Sequence, residues 1–251
     1  MESAISAKKS IILGIRSYFR KAGFRRAVLG LSGGADSSLV CSLLSESLGK
    51  KNVFAYHFPN GREDRSAEKD SKLVANLLGV NFRQIEIGSA VSAICKTAGA
   101  KDRVSRGNIA SRTRMILLYN FAKEKNALVV GTGNRTEFLL GYFTKYGDGA
   151  ADIFPIGNLF KSEVREIASI CNIPSHIISK APTAGLWKGQ TDEKEIGAKY
   201  SEMEFILHSY FDLKKTEKEI AKKAGAKKTK AILERAKRNR HKSLPAPIVN
   251  V

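Results

Sequence analysis

Apolar and polar positions along the chain fall into two alternating periods. Residues 27–32 (AVLGLS), 53–58 (VFAYHF) and 127–132 (ALVVGT) are short, mainly apolar runs, the pattern of strands buried on both faces, and 81–87 (NFRQIEI) reads as a further strand in the alternation. Between them, 36–49 and 66–79 carry apolar residues three and four apart, and each closes on a glycine, which predicts helices. Residues 107–125 read as a further, longer helix. The N-terminal stretch MESAISAKKSIILGIRSYFRKAG has helical spacing without the unbroken apolar core of a signal peptide, so it reads as a helix of the mature chain. Strand and helix thus alternate up to about residue 131, predicting an α/β fold with a parallel sheet covered on both faces. Beyond about residue 145 no strand pattern recurs. The expectation is a single domain over 1–251, with a core at about 24–170 and a helical extension at about 171–251.

Composition sharpens this outline. A hydrophobic fraction of 43% in 251 residues supports a substantial core, and no apolar stretch approaches the ~20 residues that cross a bilayer. Cys41, Cys95 and Cys171 lie far apart among apolar neighbours, which predicts buried free thiols and a reducing, cytoplasmic setting. The formal net charge is +19, and Lys214 to Lys242 holds thirteen Lys/Arg against three Glu. Such a surface attracts polyanions, whether nucleotides, nucleic acid or anionic lipid. A solvated helical face would carry the same charges.

Candidate chemistry starts at LSGGADSS (31–38), between the first strand and its helix. Glycines there let backbone N–H groups turn toward a ligand, and the helix N-terminus favours negative charge. Ser32, Ser37 and Ser38 add hydroxyls, making a cradle for phosphate oxygens. The chain has no G-x-x-x-x-G-K-[ST] and no G-x-G-x-x-G after the first strand, so it is neither a Walker loop nor a dinucleotide fingerprint. Asp36 would repel phosphate unless a cation such as Mg²⁺ bridged the two. An ordinary helix cap remains the plain alternative.

SGGADSS resembles the SGGxDS loop of the ATP pyrophosphatases, enzymes that cut ATP between its α and β phosphates. The segments GTGNRTEFLLGYFTKYGDGAADIFPIGNLFKSEVREIA (131–168) and KAPTAGLWKGQTDE (180–193) resemble NAD synthetases in particular. The resemblance runs from about residue 24 to 245. It implies a Rossmann-like fold of the adenine nucleotide alpha hydrolase type, with helical additions at both ends. It also implies a ligase forming a C–N bond: the nicotinate carboxylate of deamido-NAD displaces pyrophosphate from ATP, and ammonia then releases AMP to give NAD.

Residue roles follow from the same resemblance. Gly30, Leu31, Ser32, Gly33, Gly34, Ala35, Asp36, Ser37, Thr132, Lys161 and Thr183 match contacts to ATP. Asp36 and Glu137 match the Mg²⁺ ligands, and with Lys161 form the expected catalytic set. Arg112, Lys145, Asp152, His241 and Lys242 match contacts to deamido-NAD, whereas Arg114 points to a different helix face. Gly141, Gly147 and Gly149 suggest a loop that closes over substrate, and Phe143 and Trp187 either stack on a base or pack in the core. Family members are homodimers, so a two-fold dimer is expected. No nitrilase-like glutaminase domain is visible, which favours free ammonia and leaves room for an external ammonia donor. Membrane attachment and nucleic-acid binding are not expected. The rival enzyme is a tRNA-modifying ATP pyrophosphatase adenylating an RNA base, and a non-catalytic nucleotide- or RNA-binding module is the rival outside enzymology.

Overall fold

Side chains alternate across a central sheet and divide the interior in two. The structure, a computed structural model, describes residues 2–61, 65–183, 185 and 189–249. Along the chain run α1 (Glu2–Ala22), β1 (Arg26–Gly30), α2 (Ala35–Leu48), β2 (Val53–His57), α3 (Arg65–Leu78), β3 (Asn81–Gln84), α4 (Gly88–Thr97), α5 (Arg103–Lys125) and β4 (Ala127–Val129). Helices follow: α6 (Arg135–Leu140), α7 (Lys161–Ile170), α8 (Ser175–Ile178), α9 (Asp192–Ile196), α10 (Tyr200–Phe211), α11 (Glu217–Ala224) and α12 (Ala226–Asn239). Among the described residues the strands form one sheet in the order β3-β2-β1-β4, every pair parallel.

Ala27 and Leu29 of β1, Val53 and Ala55 of β2 and Leu128 of β4 join one buried cluster with α1, α2 and α7. Val28, Tyr56, Ala127 and Val129 join the opposite cluster with α4 and α5. The period of two in a strand makes this partition automatic once both faces are covered. A third cluster, outside the sheet, packs Leu140 of α6 against Met203, Ile206 and Leu207 of α10 and Ile232 and Leu233 of α12.

The expected strands all form, but the apolar runs outlast them. Strand β3 ends at Gln84 and β4 at Val129, with single backbone bonds carrying on beyond them from the Ile85 amide to the His57 carbonyl and from the Val130 amide to the Val28 carbonyl. The remaining residues enter loops at the carboxyl ends of the sheet. Helix α4 escapes the pattern because only Val91 and Cys95 are buried, too sparse a stripe to reveal a period. Helix α5 starts earlier than its apolar spacing suggests because Asp102 caps it, accepting from the amides of Val104 and Ser105. Cys41 and Cys95 are buried as expected, and burial pushes the Cys41 thiol up to about 12, where it is inert. Cys171 is only half-buried, at the end of α7.

The glycines between 141 and 149 serve close approach. Gly141 ends α6 at φ +60°, and a side chain there would strike Asn239 of α12. A Cβ on Gly147 would meet the Ser111 hydroxyl, and one on Gly149 the Phe143 ring. The segment read as a closing loop is thus packed against its neighbours, with Phe143 against Phe138. Trp187 lies outside the described residues. No helix among the described residues is long and apolar enough to cross a membrane.

Phe19 tests whether α1 belongs to the core. It is 1% exposed, on a helix packed against α2 and α7. Replacing it by alanine should cost about 3–5 kcal/mol, the range for a buried aromatic truncation. Urea unfolding of Phe19→Ala checks this, and a loss under 1 kcal/mol would mean that the helix is an appendage.

Candidate active site

In a parallel sheet the strand order reverses where connections leave in opposite directions, and here that point lies between β1 and β4. The loops leaving these two strands therefore diverge and open a crevice. A cleft of about 500 Å³ lies there, lined by residues 30–36, 56–61, Arg114, Glu137, Lys161, Thr183, Gln190 and Asp192, among others.

The first loop is shaped by its glycines and serines. Gly33 adopts φ +78°, and an added Cβ would sit 2.5 Å from the Ala67 carbonyl of α3, so only glycine fits. Gly34 caps α2 without a side-chain hydrogen bond, leaving the amides of the first turn to face an anion. The Ser37 and Ser38 hydroxyls instead donate to the Gly34 carbonyl, at 3.2 and 2.8 Å, and both side chains are buried. Among the described contacts, these two hydroxyls hold the loop rather than line the cleft. Ser32 remains on the cleft wall, its hydroxyl 3.0 Å from that of Ser37.

The two candidate metal ligands sit on helices rather than in loops. Asp36 lies in the first turn of α2 and Glu137 in the first turn of α6. Asn134 ties them together, and sequence reasoning missed it. Fully buried, it caps α6 by accepting from the Glu137 amide, and its Nδ2 donates to Asp36 Oδ1 at 3.1 Å. The Glu137 carboxylate returns the bond by accepting from the Asn134 amide at 3.1 Å. The N-x-x-E spacing of a capping box was the available signal.

Lys161 opens α7, is 5% exposed and forms an ion pair with Asp36 Oδ2. Burial alone would lower its pKa, but the Asp36 and Glu137 charges outweigh burial and raise it. Burial first, then the Asp36 charge, pushes the Glu137 carboxyl upward, against the attraction of Lys161. Two carboxyl groups compressed beside one ammonium form a site short of positive charge. An oxygen-seeking divalent cation with phosphate ligands fits that donor set.

The remaining candidates fall in different places. Thr183 lines the cleft and its hydroxyl accepts from the Gly185 amide. Thr132 is half-buried beyond β4 and is not on the cleft wall. Arg112, Lys145, His241 and Lys242 come together away from the cleft. Arg112 donates to the Lys145 carbonyl, Lys145 donates to the His241 carbonyl at 3.0 Å, and Lys242 lies over the Phe143 ring. Asp152 is separate: its carboxylate accepts from the Val129 amide at 2.7 Å, and its carbonyl accepts from the Tyr18 hydroxyl. Arg114, set aside in the sequence, stands on the cleft wall.

Lys180, also on that wall, is paired with Asp70 of α3, which additionally bonds His176 at 2.9 Å. Burial would raise the Asp70 carboxyl, but the bonds from Lys180 and His176 outweigh it and hold it low. Its contribution to stability is complete above about pH 4, the ordinary carboxylate value, and is lost as the pH falls through its folded value. Asp70→Asn should therefore be less stable than wild type by about 0.5–1 kcal/mol near neutrality, the scale of an ion pair whose cations are partly exposed to solvent. The gap should close on acidification, and denaturant titrations between pH 3 and 7 measure it.

The chain matches the NAD synthase family over residues 7–246. A protein of Methanosarcina acetivorans named NH(3)-dependent NAD(+) synthetase is 42% identical over 248 residues, covering 96% of each chain. Among solved structures, an NMN synthetase from Francisella tularensis superposes with a TM-score of 0.88 at 33% identity, covering 99% of both chains. The NH3-dependent NAD synthetase of Campylobacter jejuni, solved with a nitrate ion, gives 0.84 at 30% identity over 98% of this chain and 99% of its own. With the match extending over nearly its whole length and the same fold beneath it, the chain belongs to the NAD synthase family.

Proposed function

We propose that this chain amidates deamido-NAD with ammonia at the expense of ATP, as a ligase yielding NAD, AMP and pyrophosphate. The observation that carries this reading is the junction of Asp36, Lys161, Asn134 and Glu137 at the end of the glycine loop, with Asp36, Lys161 and Glu137 lining the same cleft as that loop. Family membership over the full length favours it over the tRNA-modifying alternative. The one catalytic unit spans the α/β core and its helical additions.

A carboxylate resists attack by ammonia because its carbonyl carbon is electron-rich. Its oxygen attacks the α-phosphorus of ATP, the bond from that phosphorus to the β-bridging oxygen breaks, and pyrophosphate leaves with the electron pair. Ammonia then adds to the acyl carbon, AMP departs, and the surplus proton is released. The amides of the first turn of α2 receive phosphate oxygens, and Lys161 neutralises charge gathering on the leaving group. Asn134 holds Asp36 and Glu137 in register. Mg²⁺, held by Asp36 and Glu137, would supply positive charge to the departing pyrophosphate. No Ser-His or Cys-His pair is required, because adenylation itself supplies the leaving group.

The dinucleotide candidates fit a surface beside α5. Arg112, Ile116 and Tyr119 fall on one stripe of this helix, with Ile116 and Tyr119 exposed and Tyr119 interacting with Asp152. Tyr18 of α1 adds a partly exposed ring bonded to Asp152. We read this apolar patch as the face of a homodimer with deamido-NAD near it. Free cysteines suit a cytoplasmic enzyme.

The direct test incubates purified protein with ATP, Mg²⁺, ammonium and deamido-NAD and follows NAD, AMP and pyrophosphate in equal amounts. Because a structural neighbour is named for NMN, nicotinate mononucleotide should be offered in parallel. Preference for it would redirect the reading to the mononucleotide. Glutamine should substitute poorly for ammonium. At limiting ammonium, activity should rise from neutral to mildly alkaline pH, since the nucleophile is neutral NH₃.

Asp36→Asn and Glu137→Gln remove one charge each while keeping shape. Turnover should fall about 10²–10³-fold, the scale of a lost electrostatic contact in a transition state, with a smaller effect on nucleotide affinity. Steady-state NAD formation at subsaturating Mg²⁺, alongside thermal melts, measures this. Near-wild-type turnover in both variants would reduce the glycine loop to a capped turn.

A further inference from the structure

The sequence RTR at 112–114 places two guanidinium groups two residues apart on α5, hence on opposite sides of the helix. Arg112 reaches the carbonyl of Lys145, outside the cleft. Arg114 reaches the other way, its Nε and one terminal nitrogen both donating to the Phe58 carbonyl at 3.2 Å, just past the end of β2. That clamp uses one edge of the planar group and leaves its other donors uncommitted among the described contacts. Arg114 also lines the cleft shared by Ser32, Gly33, Asp36 and Lys161.

Among the described residues no carboxylate forms an ion pair with Arg114. Asp148 and Glu86 act on it only through their charge, while burial works to strip its proton. Burying an unpaired charge is costly, and Lys161 in the same cleft avoids that cost by pairing with Asp36. The clamp on Phe58 fixes the guanidinium in place before any ligand arrives, so little side-chain entropy is lost on binding.

We propose that Arg114 contacts substrate, receiving a phosphate oxygen of ATP on its free edge. ATP is favoured over the dinucleotide because Arg114 shares its wall with the first turn of α2, whereas the dinucleotide candidates Arg112, Lys145, His241 and Lys242 lie on the far side of α5. The assignment rests on the amidation reading above and adds a residue to its ATP site. Arg114 thereby becomes a second fixed cation facing the loop, independent of the Lys161–Asp36 pair.

Calorimetric titration of Mg·ATP and of deamido-NAD, each alone, into wild type, Arg114→Gln and Arg114→Lys tests this. ATP affinity should fall about 10- to 150-fold in Arg114→Gln, the range for hydrogen bonds to a charged group. It should fall less in Arg114→Lys, which keeps the charge but not the fork. Deamido-NAD affinity should stay within about twofold, the scale for a substitution uncoupled from the site that is read. Unchanged ATP affinity in both variants, or equal weakening of both ligands, overturns the proposal. Should Arg114→Gln fail to fold, Arg114→Lys decides alone: weaker ATP binding with deamido-NAD unaffected supports the contact, and unaltered ATP binding sinks it. Wild-type protein that binds ATP through Arg114 yet makes no NAD would defeat the amidation reading and leave this contact standing.

Discussion

Everything at the cleft depends on how the charge of Asp36 is held. A carboxylate in the first turn of α2 gains from the helix N-terminus but shares a poorly solvated space with Glu137. Lys161 compensates one of the two negative charges, and Asn134 supplies a directed hydrogen bond. The result is a site that is stable enough to exist and still electrostatically incomplete. Removing Lys161 would strand two acids, and removing Asn134 would free the two helices carrying them. On the proposed reading, a polyphosphate with its cation would complete the balance, on a site whose charges are already held in place before the ligand arrives.

The sheet supplies the geometry for that balance. Because β1 has β2 on one side and β4 on the other, the loop after β1 and the loop after β4 leave in opposite directions at the same level. Asp36 and Asn134 are 98 positions apart in sequence yet within hydrogen-bond distance. The ends of β1 and β2 and the chain beyond them supply residues 30–36 and 56–61 to the crevice. The third hydrophobic cluster, built from α6, α10, α11 and α12, then backs α6 and fixes the direction in which Glu137 enters. Glu204 of α10 reinforces this by accepting from Thr136 of α6 and from the Ser162 amide of α7, coupling the helices that carry Glu137 and Lys161.

Much of this was legible in the sequence, for identifiable reasons. β1, β2 and β4 were readable because their central residues are apolar and buried on both faces, whereas β3, with Asn81, Arg83 and Gln84 exposed, rested on its place in the alternation. The glycine loop was readable because its backbone requirement leaves few residue choices. Helix α4 was not readable, since two buried positions make no period. The bonds of the Ser37 and Ser38 hydroxyls to the Gly34 carbonyl were not legible, because a hydroxyl that lines a phosphate loop and one that props it look alike in sequence. Asn134 was overlooked because its two roles, cap and bridge, need the long-range contact with Asp36 to become apparent. The opposite fates of Arg112 and Arg114 follow from helix geometry, but which side faces the cleft depends on where α5 docks, and local spacing carries no such information.

The distribution of basic residues takes the argument beyond the cleft. Part of the charge on α11 and α12 is consumed internally, Lys228 by Glu202 and Lys237 by Glu217. Lys218, Lys222, Lys223 and Lys227 are exposed, and the same chain direction leads on to Arg240, His241 and Lys242 beside Gly141. Exposed lysines in water bind small anions weakly, and salt screens them over about 8–10 Å. Such a surface therefore raises the frequency with which nucleotides meet the protein, while selection among them falls to the few cations with fixed positions. Lys161 and Arg114 are fixed, one by a carboxylate and the other by a carbonyl, and both line the cleft that the glycine loop borders. The chain thus divides its excess positive charge into a diffuse, exposed part suited to gathering anions and a small, fixed part on the cleft wall that, on the proposed reading, would select among them.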